Sequence, residues 1–158
     1  MDVRVSEYII RSIQKDFADN WPGAYSDVDI FYDGQNFDPK DYSEYVQVMV
    51  DGPVFAPSHG NDEWGTIAVD VKVFAARDSK NPHRVIELAA AVTSVLHRRS
   101  LQVKNYPVGT AQYNNGFVRY GEVEQTEVDL EETHAAGGWK VPMRQMNVSV
   151  EGIVEFTA

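Results

Sequence analysis

Between Thr66 and Phe74 the chain sets Ile67, Val69, Val71 and Val73 at every second position, with Ala68, Asp70 and Lys72 between them. Successive side chains of an extended backbone point to opposite sides, and branched aliphatics pack well on a pleated surface. The run therefore predicts a strand with one buried face. A strand of this kind needs hydrogen-bonded neighbours, and its apolar face needs a covering layer. The same alternation recurs at Val28, Ile30 and Tyr32, at Val46, Val48 and Val50, and at Met146, Val148, Val150, Gly152, Val154 and Phe156. Two further runs, 103–106 and 112–120, predict a hairpin with a turn or bulge at Asn114-Asn115-Gly116, and 122–130 continues as an acidic strand.

The covering layer is legible too. Val5, Ile9, Ile13 and Phe17 recur every fourth residue, which predicts an amphipathic helix over 3–19, stopped by Asn20-Trp21-Pro22-Gly23. Asn81-Pro82 is a helix start, since asparagine caps a free N–H and proline is tolerated at the first helical position. That helix is expected to run to Arg99, burying Val85, Leu88, Ala89, Val92, Val95 and Leu96, with Arg98 and Arg99 opposite the negative end of its dipole. Segments 34–43, 51–65 and 131–145 read as loops. The order α-β-β-β-α-β-β, with extra hairpin strands, predicts a single α+β domain over 1–158: a mostly antiparallel sheet with two helices packed on one face.

Charge narrows the partners. Twenty-four acidic against fourteen basic residues leave a net charge of −10, which repels phosphate backbones and gives no general reason to sit on an anionic membrane. With no cysteine, disulfide frameworks, thiolate metal sites and cysteine nucleophiles are excluded. The N-terminal residues lack a basic start followed by an apolar run, and no apolar stretch is long enough to span a bilayer, so a cytoplasmic protein is expected.

Chemistry-bearing motifs are sparse. His59, Asp62 and Glu63 stand close enough to ligate a metal, but a Ser/Gly/Asn-containing loop gives them no fixed geometry, and a solvated loop is the favoured reading. Glu122, Glu124, Glu127, Asp129, Glu131 and Glu132 lack the spacing and central glycine of a calcium loop, and along a strand they point to both faces. No nucleophile elbow, phosphate loop or dinucleotide fingerprint occurs, so neither an enzyme nor a cofactor is expected. A small enzyme or ligand-binding domain would have to gather His59 or His134 with carboxylates in a pocket. Phe55, Trp64 and Trp139 fall in segments read as loops. Either they fold back on their own core, or they anchor contacts with another subunit, where aromatic residues are favoured.

The element order resembles the tail terminator, or tail completion, proteins of long-tailed bacteriophages. The resemblance lies in the helix closed by Asn20-Trp21-Pro22, the strand Val28-Asp29-Ile30-Phe31, and the strand Tyr45-Val46-Gln47-Val48. It continues in Gly65 to Val71, the helix after Asn81-Pro82, and the closing strand Met143 to Val150. It implies a non-catalytic virion protein that forms a ring, typically a homohexamer, caps the tail tube and meets the connector proteins of the head. The implied partners are further copies, the major tail tube protein and the neck, with DNA passing through the lumen unbound. The implied location is the host cytoplasm and then the neck of the virion. Phe55, Trp64, Trp139 and Met143 become the candidate contacts to a neighbouring subunit or to the tube. The strand-rich stretch 104–130 and the loop 131–145 depart from the family pattern, which keeps open a head-closure or adaptor ring instead.

Overall fold

The computed structural model describes residues 5–56, 62–76, 83–105, 112–129, 133–134, 140–141 and 143–157. Helix α1 spans Val5–Asn20 and buries Val5, Tyr8, Ile9, Ser12, Ile13 and Phe17 along one stripe. It ends where Trp21 stacks on Phe17 at 5.6 Å between ring centres and donates its indole N–H to the Tyr25 carbonyl at 2.9 Å. That contact fixes the reversal anticipated at Trp21-Pro22-Gly23, a single 3-10 turn over Gly23–Tyr25.

Strand β1 (Asp29–Tyr32) is followed by β2 (Glu44–Phe55) and β3 (Asp62–Ala76), then by helix α2 (Arg84–Leu96). After α2 come β4 (Ser100–Asn105), β5 (Gln112–Asp129), the short pair β6 (Thr133–His134) and β7 (Lys140–Val141), and β8 (Met143–Thr157). Six of these form one sheet in the order β1-β2-β3-β8-β5-β4, and β6 pairs with β7 alone. Every pairing in the large sheet is antiparallel except β1 with β2. Both helices lie on one face, α1 over β4 and β2, α2 over β8, β3 and β5. The α+β architecture expected from the alternation is the one observed.

The core sits between helices and sheet. Val46 and Val48 of β2, Ile67, Val69, Val71 and Val73 of β3, and Val148, Val150 and Val154 of β8 meet Ile9, Ile13, Phe17, Leu88, Val92 and Leu96. Each such side chain taken fully from water contributes roughly 1.5–3 kcal/mol. Two paired arginines tie the layers together. Arg99 donates to both Asp16 oxygens, at 2.9 and 3.0 Å, and Arg84 to both Glu44 oxygens, at 2.8 and 2.9 Å. The hydrogen bonds to Glu44 hold the Arg84 guanidinium above its ordinary range.

Three expectations need correction. Residues 51–65 are largely strand, not an extended loop: β2 runs on to Phe55 and β3 begins at Asp62. Pro53 sits in a register shift between Asp51 and Val54, where a strand tolerates a residue without an N–H. Helix α2 ends at Leu96, because His97 is extended and Arg98 adopts φ 50°. Arg98 and Arg99 therefore do not cap a helical dipole; they pair with Glu122 and Asp16. The segment 34–43 is not merely polar. It carries the chain back so that β1 and β2 run parallel, and it lays Phe37 and Tyr42 on the sheet face away from the helices. The starting Asn81-Pro82 of the second helix lies outside the described residues.

Candidate interaction surface

The sheet face away from the helices divides into a closed part and an open part. In the closed part Phe31 stacks on Phe37 at 3.9 Å and Tyr45 on Phe74 at 4.5 Å, with Tyr42 edge-on to Phe31, Phe37 and Tyr45, and Met143 beneath. Burial pushes the Tyr45 phenol up to about 12. This cluster is satisfied by its own chain.

The open part lies beyond the register shifts. Val54 of β2, Thr66 of β3, Ile153 of β8 and Arg119 of β5 form one cross-strand row, and Trp64, Glu155 and Phe117 form the next. Val54, Trp64, Phe117 and Ile153 are 69%, 52%, 42% and 49% exposed, whereas the large hydrophobic residues of the core are nearly all inaccessible. Arg119 reaches Glu155 at 3.3 Å across the patch. Exposed apolar side chains scattered singly are ordinary, but four on adjoining rows of one face form a patch of the kind that marks association.

Beside this patch the sheet bends. The register shift Asp51/Val54 in β2 and the shift Tyr120/Val123 in β5 face one another across β3 and β8. Gly52 and Gly121 there present no side chains, which leaves a saddle of about 640 Å³ walled by Val54, Ile153 and Ala68, with Asp51, Glu151 and Arg119 at its mouth, while Gly152 is bare on the core side, against Tyr120 and Ile67. Gly52 has φ 99° and its α-carbon faces the Thr66 carbonyl, so a β-carbon there would be strained and would stand 3.1 Å from that oxygen. Tyr120 closes the floor, its phenol pushed above the ordinary range by burial.

Of the residues singled out in the sequence that are described, Trp64 alone lies in this patch. Phe55 is half-buried and packs against the main core. Met143 is 2% exposed inside the aromatic cluster and offers no surface to a partner, because its position in β8 faces Phe74 and Tyr45. Trp139 and His59 lie outside the described residues. His134 sits on β6. The acidic residues of β5 do point both ways: Glu124 lies opposite Ser149 on the open face and Glu127 opposite Met146 on the helical side. Glu122 is held below the usual carboxylate range by its hydrogen bond from Arg98. Among the described residues no three histidine or carboxylate side chains converge on a metal position, and no helix is long and apolar enough to cross a membrane.

Val54, Phe117 and Ile153 were missed, although a signal exists. In strands that alternate as cleanly as β5 and β8, a large hydrophobe in the solvent phase is out of step with its neighbours. Phe117 beside Val118 and Ile153 beside Val154 are such cases.

The geometry defines an α+β protein with a six-stranded sheet, helices on one face and an apolar patch on the other. No protein-family model matches the chain, and no curated protein matches it. Among 28 matching chains of solved structure, one is similar over 96% of both chains, with a TM-score of 0.58 at 15% identity. At that identity the likeness is one of fold.

Proposed function

We propose that this chain is a structural assembly subunit that associates with copies of itself into a ring and caps a phage tail tube at the junction with the head, as the resemblance to tail terminators implies. The observation that carries the reading is the open patch of Val54, Trp64, Phe117 and Ile153, which a solitary protein would leave wet. The element order supports it, and so does the net charge of −10, which suits a passage through which DNA slides without adhering. One position on each edge of the sheet is already engaged by a side chain of the same chain. Ser12 occupies the outward N–H and carbonyl of Lys104 on β4, and the Gln35 side chain accepts from the N–H of Tyr32 on β1.

Native mass spectrometry and electron microscopy of the purified protein, alone and with isolated tail tubes, test this. Closed rings seated on tube ends are expected. A strict monomer that ignores tubes sinks the reading, and rings that bind the portal side but never the tube move the protein to another layer of the neck.

A further inference from the structure

We propose that the saddle and apolar patch of one copy receive the solvent face of α2 from a second copy, so that copies join head to tail through two different surfaces. This rests on the ring reading above and adds which surfaces meet. Ile86 is 51% exposed and, among the described residues, is the exposed large hydrophobic side chain that lies off the open sheet face. On α2 and its two flanking residues, those most turned to solvent are His83, Ile86, Ala90, Ser94 and His97, spaced three or four apart, and none of them is acidic. The outward side of a surface helix is ordinarily charged, and on a chain of net charge −10 acidic residues would be expected there. The nearest carboxylate on the helix, Glu87, is drawn aside to Arg84 at 3.7 Å.

Position and charge select the occupant. The helices cover one face of the sheet and the saddle opens on the other, so the two apolar surfaces of one copy point apart and cannot meet each other. Asp51 and Glu151 stand at the saddle mouth with Glu155 beside the patch, and Arg119, the nearest cation, is already engaged by Glu155. Two copies placed saddle to saddle would bring these carboxylates together. A helix face without acids and with a histidine at each end does not, and it offers Ile86 to a cleft whose walls are Val54 and Ile153. A contact between unlike surfaces leaves one of each unsatisfied on every pair, so it propagates, and it makes a ring when the rotation between successive copies closes.

The test uses Ile86→Asp and Ile153→Asp, both at exposed positions, each checked for a wild-type circular dichroism spectrum. Masses are then measured at and well above the concentration at which wild type is fully assembled. Each variant alone is expected to be monomeric. Their equimolar mixture is expected to give a one-to-one dimer and nothing larger, because one variant keeps its saddle and the other keeps its helix face. If Ile86→Asp assembles like wild type while Ile153→Asp does not, the ring reading stands and the helical contact is overturned. A mixture that stays monomeric overturns it as well. Wild type that is monomeric throughout removes the ring reading itself. Should Ile86→Asp fail to fold, Ala90→Glu, which sets a carboxylate against the acidic saddle mouth, replaces it with the same expected outcomes.

Discussion

The Ser12 hydroxyl donates to the Lys104 carbonyl at 3.4 Å and accepts from the Lys104 N–H at 2.9 Å, bridging residues 92 apart in the sequence. A side chain of α1 thereby takes the place that another strand would occupy along β4. The backbone groups it satisfies are partly buried, so their loss is not made good by water. Ser12→Ala is expected to lower stability by about 1–3 kcal/mol, with an unchanged denaturant slope and faster exchange of the Lys104 amide hydrogen. A midpoint equal to that of wild type would show that the bridge carries no stability.

Two glycines are expected to respond in opposite ways to alanine. A β-carbon at Gly65 would stand 2.6 Å from the Val54 carbonyl oxygen, a backbone atom that moves only if β2 moves. Gly65→Ala should cost about 1–3 kcal/mol, as overpacking does. At Gly23 nothing lies within 4 Å, and alanine there should be neutral or stabilising by about 0.4–1 kcal/mol through the unfolded chain. Thermal unfolding of the two variants side by side decides this.

Tyr45 and Phe74 face each other across β2 and β3 with rings 4.5 Å apart and 19° from parallel. A double-mutant cycle with leucine at both sites is expected to return a coupling of about 0.5–1.5 kcal/mol.

Alkaline pH tests this cluster and the main core beside it by another route. The Tyr45 phenol is pushed from 10.0 up to about 12 by burial, and the Tyr32 phenol likewise by burial with Asp19 nearby. A folded pKa above the unfolded one means that this contribution to stability is complete below pH 10 and is lost as pH rises from 10 through 12. The denaturation midpoint should fall across that window, and phenolate absorbance from these two residues should appear late. A midpoint that stays flat to pH 12 would contradict the assignment.

Trp64 and Met143 separate surface from core. Trp64→Ala should leave stability within ~0.5 kcal/mol and weaken self-association, whereas Met143→Ala should cost about 2–5 kcal/mol. If Trp64→Ala assembles as wild type does, the patch is not an interface.

Most of the fold was legible because its signals are local. Ile67, Val69, Val71 and Val73 declare their face by alternation, and Val5, Ile9, Ile13 and Phe17 declare theirs by helical spacing. What was illegible depends on partners distant in the chain. The parallel pairing of β1 follows from Phe37 and Tyr42 closing onto Phe31 and Tyr45, and the polar residues around them hid that closure. The alternation of β2 stops at Val50, and only the opposing register of β3 reveals that the strand continues through Pro53 to Phe55. The surface was legible in part. Trp64 stood out by size, while Met143 looked equally available and is in fact covered.

Strand β8 pairs with β3 on one side and β5 on the other, joining Val71 to Val148 and Gln125 to the same residue. It is also the last of the described elements to leave a ribosome. Until residues 143–157 emerge, the half-sheet β1-β2-β3 and the hairpin β4-β5 each keep a raw inner edge, with α2 lacking much of the floor it packs on. A nascent chain of this design cannot complete its sheet piecemeal during synthesis. It must stay unassembled until the central strand arrives, and a chain cut short before Met143 would display two sticky edges to its surroundings.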